Sequence, residues 1–167
     1  MIRSLLCLSL TLFLLGEAAQ ASPKKELLEC IKRYNRNLIE AAADPSFTEN
    51  FDNRRRLEEC ATKKVAQKLY IWIASWHENR LYMEAKLEKL ELIRLNRSQD
   101  SAIAETKEIW IYRYKKIDSE GRVSAAHPPS KMEYLVRYTL KKFPKGWKIA
   151  QIKILHEKET PLPSDTS

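Results

Sequence analysis

An α+β fold is predicted, with N-terminal helices packed on a strongly curved antiparallel sheet of about four strands. Three features predict it. Apolar residues in the first half recur at three- and four-residue steps, which places them on one helix face. In the second half, aromatic and β-branched residues alternate with polar ones, the period of a half-buried strand. Turn-forming clusters punctuate the chain at Asp44-Pro45-Ser46, Asn96 to Asp100 and Pro144-Lys145-Gly146. Helices first and strands after is the order of segregated α+β domains. Composition sets the outer bounds. The 167 residues, less a leader of 21, leave 146, which is one domain with room for a core. A charged fraction of 31% excludes a multispanning membrane protein, and 44% apolar residues argue against wholesale disorder.

Residues 1–21 read as a secretory signal peptide. Arg3 gives the positive start, Leu5 to Leu15 the apolar stretch, and Ala19-Gln20-Ala21 the small-x-small cleavage pattern. The apolar run is shorter than the about 20 residues that a membrane-spanning helix needs. Cys7 lies inside it, where a lipoprotein cleavage site does not fall. The mature chain is therefore expected outside the cytoplasm, in a periplasm, a thylakoid lumen or the extracellular space. Residues 22–157 are expected to form a single domain and 158–167 a flexible tail, frayed from Thr160.

A first helix starts at Pro23, with Leu27, Ile31, Tyr34, Leu38 and Ala41 on one face. Asp44-Pro45 ends it, because proline cannot continue a helix and disfavours helix in the residue before it. A second helix carries Leu57, Ala61, Val65, Leu69, Trp72 and Trp76. Its basic residues (Arg54, Arg55, Arg56, Lys63, Lys64, Lys68) fall largely on the other faces, which reads as a solvated surface rather than a nucleic-acid site. From Tyr82 the pattern is ambiguous. Ala85, Leu87, Leu90, Leu92 and Leu95 fit a helix, and strict alternation fails between Leu87 and Leu90, where a β-bulge would restore a strand register. Trp110, Tyr112 and Tyr114 alternate with Ile109, Ile111 and Arg113 in a strand. Residues 118–131 read as a loop through Gly121 and His127-Pro128-Pro129. Met132 to Lys141 is a strand, and a last strand follows the hairpin turn from Trp147.

The run Tyr134-Leu135-Val136-Arg137-Tyr138-Thr139-Leu140, the Pro-Lys-Gly turn and Trp147-Lys148-Ile149-Ala150 carry a family likeness. So do Leu69-Tyr70-Ile71-Trp72 and the segment led by Tyr82. Together they resemble the intermembrane-space domain of the chloroplast-division J-domain-like proteins and their cyanobacterial relatives, over roughly residues 60–156. The Gly-Trp-Lys-Ile hairpin also recurs across the nuclear-transport-factor-two-like superfamily. Both resemblances imply a cone of helices packed into a curved sheet, and on that basis residues 82–96 are assigned to one long strand. The J-like domain, tetratricopeptide-like region and transmembrane helix of the division proteins have no counterpart in this sequence. No partner-contacting position is carried over. The resemblance implies a non-catalytic role, docking the tail of a partner protein. The wider superfamily implies an alternative, a small cone-type enzyme or small-molecule carrier with an aromatic-lined pocket.

Catalytic motifs are absent from the sequence. His77-Glu78 opens like a metalloprotease helix, but Leu81 stands where the second histidine would be. His77, His127 and His156 fall on a helix, a loop and a strand and read as surface or boundary residues. Gly121 and Gly146 are the only glycines after the leader, so neither a phosphate loop nor a dinucleotide fingerprint can form. No catalytic residue, metal ligand or cofactor is assigned. Cys30 and Cys60 can pair in an oxidising compartment or remain separate buried thiols. No C-x-x-C motif supports redox catalysis.

Aromatic residues are the most suggestive feature. Trp72, Trp76, Tyr82, Trp110, Tyr112, Tyr114, Tyr134 and Tyr138 can line one concavity, and Trp76, Tyr82, Trp110, Tyr112 and Tyr134 are the candidates to hold a ligand or partner, the alternative being core packing. Arg113 and Arg137 on adjacent strands are candidates to hold a carboxylate, the alternative being a solvated face. Thirty Lys and Arg against 22 Asp and Glu give a formal charge of +8, and since Arg3 and Glu17 cancel, loss of the leader leaves it unchanged. A basic surface favours anionic partners. The expected partner is a protein or peptide segment, acidic in character. An anionic membrane surface is the weaker alternative, and nucleic acid is not expected.

Overall fold

The computed structural model describes residues 23–163. The signal-peptide assignment, and the tail from residue 164, lie outside the described residues. Helix α1 (Pro23–Ala43) is followed by a 3₁₀ turn (Phe51–Asn53), a single helical turn α2 (Arg54–Leu57) and helix α3 (Lys63–Glu78). Four long strands then meander: β1 (Leu81–Arg97), β2 (Ser101–Ile117), β3 (Val123–Phe143) and β4 (Gly146–Pro161). They form one antiparallel sheet in the order β1-β2-β3-β4. The predicted fold class, helices followed by a curved four-stranded antiparallel sheet, is the one observed.

The stripe on α1 packs as its spacing requires. Leu27, Ile31, Tyr34 and Ala41 are buried, with Leu38 partly so. After the helix ends, the Asp44 carboxylate accepts bonds from the Ser46 amide (2.9 Å) and hydroxyl (2.8 Å). That turn delivers Phe47 into the core, 1% exposed, against the Tyr70 ring. Burying side chains of this size is worth roughly 1.5–3 kcal/mol each.

The predicted second helix is two helices. Its break comes from the sheet. Cys60 accepts the Ile149 amide (2.8 Å) through its carbonyl, and Thr62 donates its amide to the Ile149 carbonyl (2.9 Å). Ala61 thus forms a one-residue parallel bridge to β4, which a helical backbone cannot supply. The interruption changes the phase of α3. Ala66, Leu69, Ile73 and His77 form the buried face of α3, while Trp72 is 39% exposed.

Residues 82–96 lie in a strand, with a bulge where alternation breaks. The register with β2 shifts between Leu87 and Lys89 and again between Leu92 and Arg94. Each extra residue keeps Ala85, Leu90, Leu92 and Leu95 packed against the core. Pairings β2·β3 and β3·β4 also carry two shifts each. Bulges bend a strand and increase its twist, so six of them account for the curvature of the sheet.

Two expectations about irregular segments are corrected. The 118–131 loop reduces to a tight turn at Asp118–Arg122, where Asp118 accepts the Glu120 and Arg122 amides and the Arg122 guanidinium, and Gly121 adopts φ +79°. Strand β3 starts at Val123 and includes His127-Pro128-Pro129. These prolines lie at a register shift opposite β2, and β4 pairs with β3 only from Ser130 onward. Bulges and edges are the places in a sheet where the missing proline N–H costs little. The tail expected from 158 is ordered through Pro161, because β4 continues to pair with Met132, Lys131 and Ser130.

Candidate functional site

The inward face of β2 places Thr106, Glu108, Trp110, Tyr112 and Tyr114 in line, two residues apart. From there a ladder of rings crosses to α3. Trp110 stacks on Tyr112 (5.8 Å), Tyr112 on Tyr114 (6.2 Å), and Tyr114 on Trp76 (5.1 Å), which leans on Trp72 (5.7 Å). Of the expected aromatic candidates, Trp76, Trp110 and Tyr112 belong to this ladder. Tyr134 touches it through the Tyr112 hydroxyl, which shares a hydrogen bond with its own. Tyr82 does not join; its ring packs on His77 at 4.8 Å.

The ladder ends on a group that the sequence reading missed. Glu108 is 2% exposed. Its Oε1 accepts the Thr106 hydroxyl (2.7 Å) and the Tyr138 hydroxyl (2.8 Å), and its Oε2 accepts the Trp110 indole N–H (2.8 Å). The inward parity of Trp110 and Tyr112 extends two residues back to Glu108, which is the signal in the sequence that marks it. Burial, and then the neighbouring Glu108, push the Tyr138 hydroxyl well above its usual range, and the same two causes act on Tyr34. Burial also raises Tyr112, Tyr114 and Tyr134. These hydroxyls are protonated at neutral pH. The cone interior is thus a network of rings and hydrogen bonds directed at one carboxyl group.

The two arginines do not converge. Arg137 and Glu105 face each other across β2 and β3 on the outer face, and both the Nε and an Nη of Arg137 donate to one carboxylate oxygen (2.9 and 2.7 Å). Arg113 lies eight residues further along β2 than Glu105, beside Glu84 of β1. At about 3.3 Å per residue they are roughly 26 Å apart along the strand, so no shared carboxylate is held. Among the histidines, His127 and His156 are exposed, but His77 is buried. Its Nε2 donates to the Ala42 carbonyl at 3.2 Å, tying α3 to the end of α1.

Cys30 and Cys60 are buried free thiols in contact. Cys30 also points its sulfur at the carbonyls of Trp147 (3.2 Å) and Cys60 (3.5 Å). The hydrogen bond between the two side chains, and then burial, raise the Cys30 thiol, and the same bond lowers that of Cys60. Among the described residues no cluster of three or more His, Cys, Asp or Glu is placed to hold a metal ion.

An open groove of about 530 Å³ lies between α3 and β4. Lys64, Lys68 and Trp72 form one wall, Ala150, Gln151 and Ile152 the other, and Tyr34 belongs to its lining. Lys64 and Lys68 are exposed and make no ion pair among the described residues. A second opening, about 550 Å³, lies between the end of β2 and the start of β3 and includes Arg113, Tyr114 and His127. Trp72 therefore joins the buried ladder to the rim of the first groove. Sequence reasoning placed Trp72 on the buried face of its helix and read the two lysines as plain solvated surface.

No protein-family model matches the sequence, and no curated protein matches it. Solved structures do. The intermembrane space region of the chloroplast protein ARC6 aligns with a TM-score of 0.60 at 15% identity, over 76% of this chain and 92% of that one. A periplasmic fragment of TraM aligns at 0.48 and 11% identity, over 76% and 96%. A dehydratase of the NTF2-like family from Streptomyces avermitilis, itself described as a candidate for that activity, aligns at 0.46 and 13%, over 81% and 96%. The chain has the fold of the ARC6 region, and the resemblance to that intermembrane-space domain is one of architecture: helices packed into a strongly curved antiparallel sheet.

Proposed function

We propose that this chain is an exported, non-catalytic docking module that binds a peptide segment of a protein partner. The groove between α3 and β4 carries the reading. It is open and basic, and the half-exposed indole of Trp72 at its rim is the kind of anchor that dominates protein interfaces. The interior supports the non-catalytic part. Every ring of the ladder packs on another ring, and both oxygens of Glu108 already accept bonds from protein donors. A substrate would have to displace that packing. The leader read from residues 1–21 and the likeness in fold to an intermembrane-space region support export.

Native mass spectrometry of the tagged protein, gently recovered from its own non-cytoplasmic compartment, tests the proposal. A discrete protein adduct that is lost in Trp72→Ala is the expected result. A bare chain from every preparation, or a small-molecule adduct, would overturn it.

A further inference from the structure

We infer that the groove takes its occupant as an added β-strand: an extended acidic segment pairs with the open edge of β4 and sets its carboxylates against Lys64 and Lys68. This rests on the docking reading above and adds the conformation and charge of what is docked.

The edge itself is the first ground. Strand β4 is the last of the sheet, so one row of its backbone groups faces away from β3. Among the described residues, backbone hydrogen bonds from outside the sheet reach β4 only at Ile149, through Cys60 and Thr62. There the chain adds a one-residue strand to its own edge and then turns away into α3. The register shifts of β4 fall at Ala150 and Leu155 and bracket a regular run, Gln151 to Ile154. Within that run Lys153 is the one charge, and Ile154 is 52% exposed.

Protected edges look different, and the other edge of this sheet is an example. Strand β1 has two bulges, carries Glu84, Lys86, Glu88, Lys89, Glu91 and Arg94, and is the strand on which α1 chiefly packs. Bulges, charges and a covering helix together stop edge-to-edge pairing. Strand β4 has bulges and charges too, but between its bulges the run Gln151 to Ile154 carries Lys153 alone and takes no backbone bond from outside the sheet among the described residues. Such a run beside a groove is suited to strand addition, in which main-chain bonds supply affinity and alternate side chains supply selectivity.

Charge chooses the occupant. The groove wall opposite the edge presents two lysines without ion-pair partners among the described residues. A second copy of this chain would bring the same lysines and a charge of +8 against themselves. A foreign segment with carboxylates at alternate positions meets both lysines and leaves its other face for Trp72.

The test is a displayed library of random peptides panned on the protein, with the enriched peptides then synthesised. Acidic residues at alternate positions are expected. Affinity should fall tenfold or more in the Lys64→Glu/Lys68→Glu variant, whose folding is checked by circular dichroism, both sites being exposed. Hydrogen exchange should slow at Gln151 to Ile154 in the complex. N-methylation of alternate backbone amides in the peptide, which leaves every side chain in place, should abolish binding. Enriched peptides that tolerate N-methylation, or that leave the β4 amides unprotected, would overturn strand addition while leaving docking intact. Basic or uncharged enrichment would overturn the charge assignment. Binding to anionic vesicles that competes with the peptides and needs Lys64 and Lys68 would make lipid the occupant instead. A library that yields no binder would remove the docking reading itself.

Discussion

Replacing Glu108 with Gln tests whether the interior is held by one carboxylate. Three donors converge on it from within 2.8 Å, and Thr106, Trp110 and Tyr138 are at most 4% exposed, so water cannot replace a lost acceptor. A glutamine of the same shape keeps one carbonyl oxygen for the Thr106 and Tyr138 hydroxyls. Its NH₂ then faces the Trp110 indole N–H, donor against donor. An unsatisfied buried donor costs about 1–3 kcal/mol, and hydrogen bonds to a charged acceptor are worth about 1.5–3 kcal/mol. The expected loss is therefore about 2–4 kcal/mol, a large part of a typical domain's 5–15 kcal/mol. Glu108→Ala leaves all three donors without a partner and should cost more. Urea unfolding followed by tryptophan fluorescence measures both. The decisive comparison is Glu108→Gln with Trp110→Phe, which removes the opposed indole N–H. The double variant should be less destabilised than the sum of the singles by at least about 1 kcal/mol. Additive losses, or a Glu108→Gln variant within about 0.5 kcal/mol of the parent, would refute the argument that the carboxylate organises the ladder.

Three further outcomes are expected. Oxidation should join Cys30 to Cys60, whose side chains already share a hydrogen bond across a separation of 30 residues. Closing that loop should add roughly 3 kcal/mol, and a melting shift abolished by dithiothreitol and absent in Cys30→Ser checks it. The buried tyrosines should make stability fall as pH rises above about 10. Tyr138, Tyr34 and Tyr112 ionise at higher pH folded than unfolded, so the unfolded chain releases protons first as pH rises. Tyrosinate absorbance from these groups should appear together with loss of the folded circular dichroism signal; early, non-cooperative ionisation of all seven tyrosines would contradict the packing. Trp72→Ala should cost no more than about 1 kcal/mol, since the ring is 39% exposed, yet weaken partner binding at least tenfold in a titration.

Local rules made the helix-then-sheet order legible, whereas the long first strand was locally ambiguous and rested on the family resemblance. The failed alternation between Leu87 and Leu90 marked a bulge, because a strand that buries one face must restore its register or expose its leucines. What escaped was set by distant contacts. The period of 57–76 reads as one helix, and only the β4 edge, nearly ninety residues on, pulls Cys60 to Thr62 out of helical geometry. His127-Pro128-Pro129 reads as a loop because proline has no N–H to give a ladder, whereas the register shift in β3 removes the need for one. For the site, parity placed Trp110, Tyr112 and Tyr114 on one face of a strand, but their crossing to Trp76 of α3 was not legible. The expected convergence of Arg113 and Arg137 failed, since adjacency of strands says nothing about position along them. Trp72 was among the aromatics expected to line a concavity, but its exposure at the groove rim beside Lys64 and Lys68 needed the rotation of α3 that the break imposes.

That break links the fold to the proposed activity. A single helix from Leu57 to Trp76 would bury Trp72 with Leu69. The bridge at Ala61 restarts the helix at Lys63, and the new phase turns Ile73 and His77 inward and leaves Trp72 at the rim. The same bridge occupies β4 at Ile149 and nowhere further, so the edge from Gln151 to Ile154 stays open beside the exposed indole. Removing the bridge should therefore do more than lower stability. Thr62→Pro deletes the amide that donates to Ile149 while keeping the extended backbone that Thr62 already has, with φ −67° and ψ 154°. If the bridge sets the phase of α3, this variant should stay folded, shift the fluorescence of Trp72 and lose peptide binding together. Loss of binding with unchanged Trp72 fluorescence would mean that the edge, not the helix phase, governs the groove.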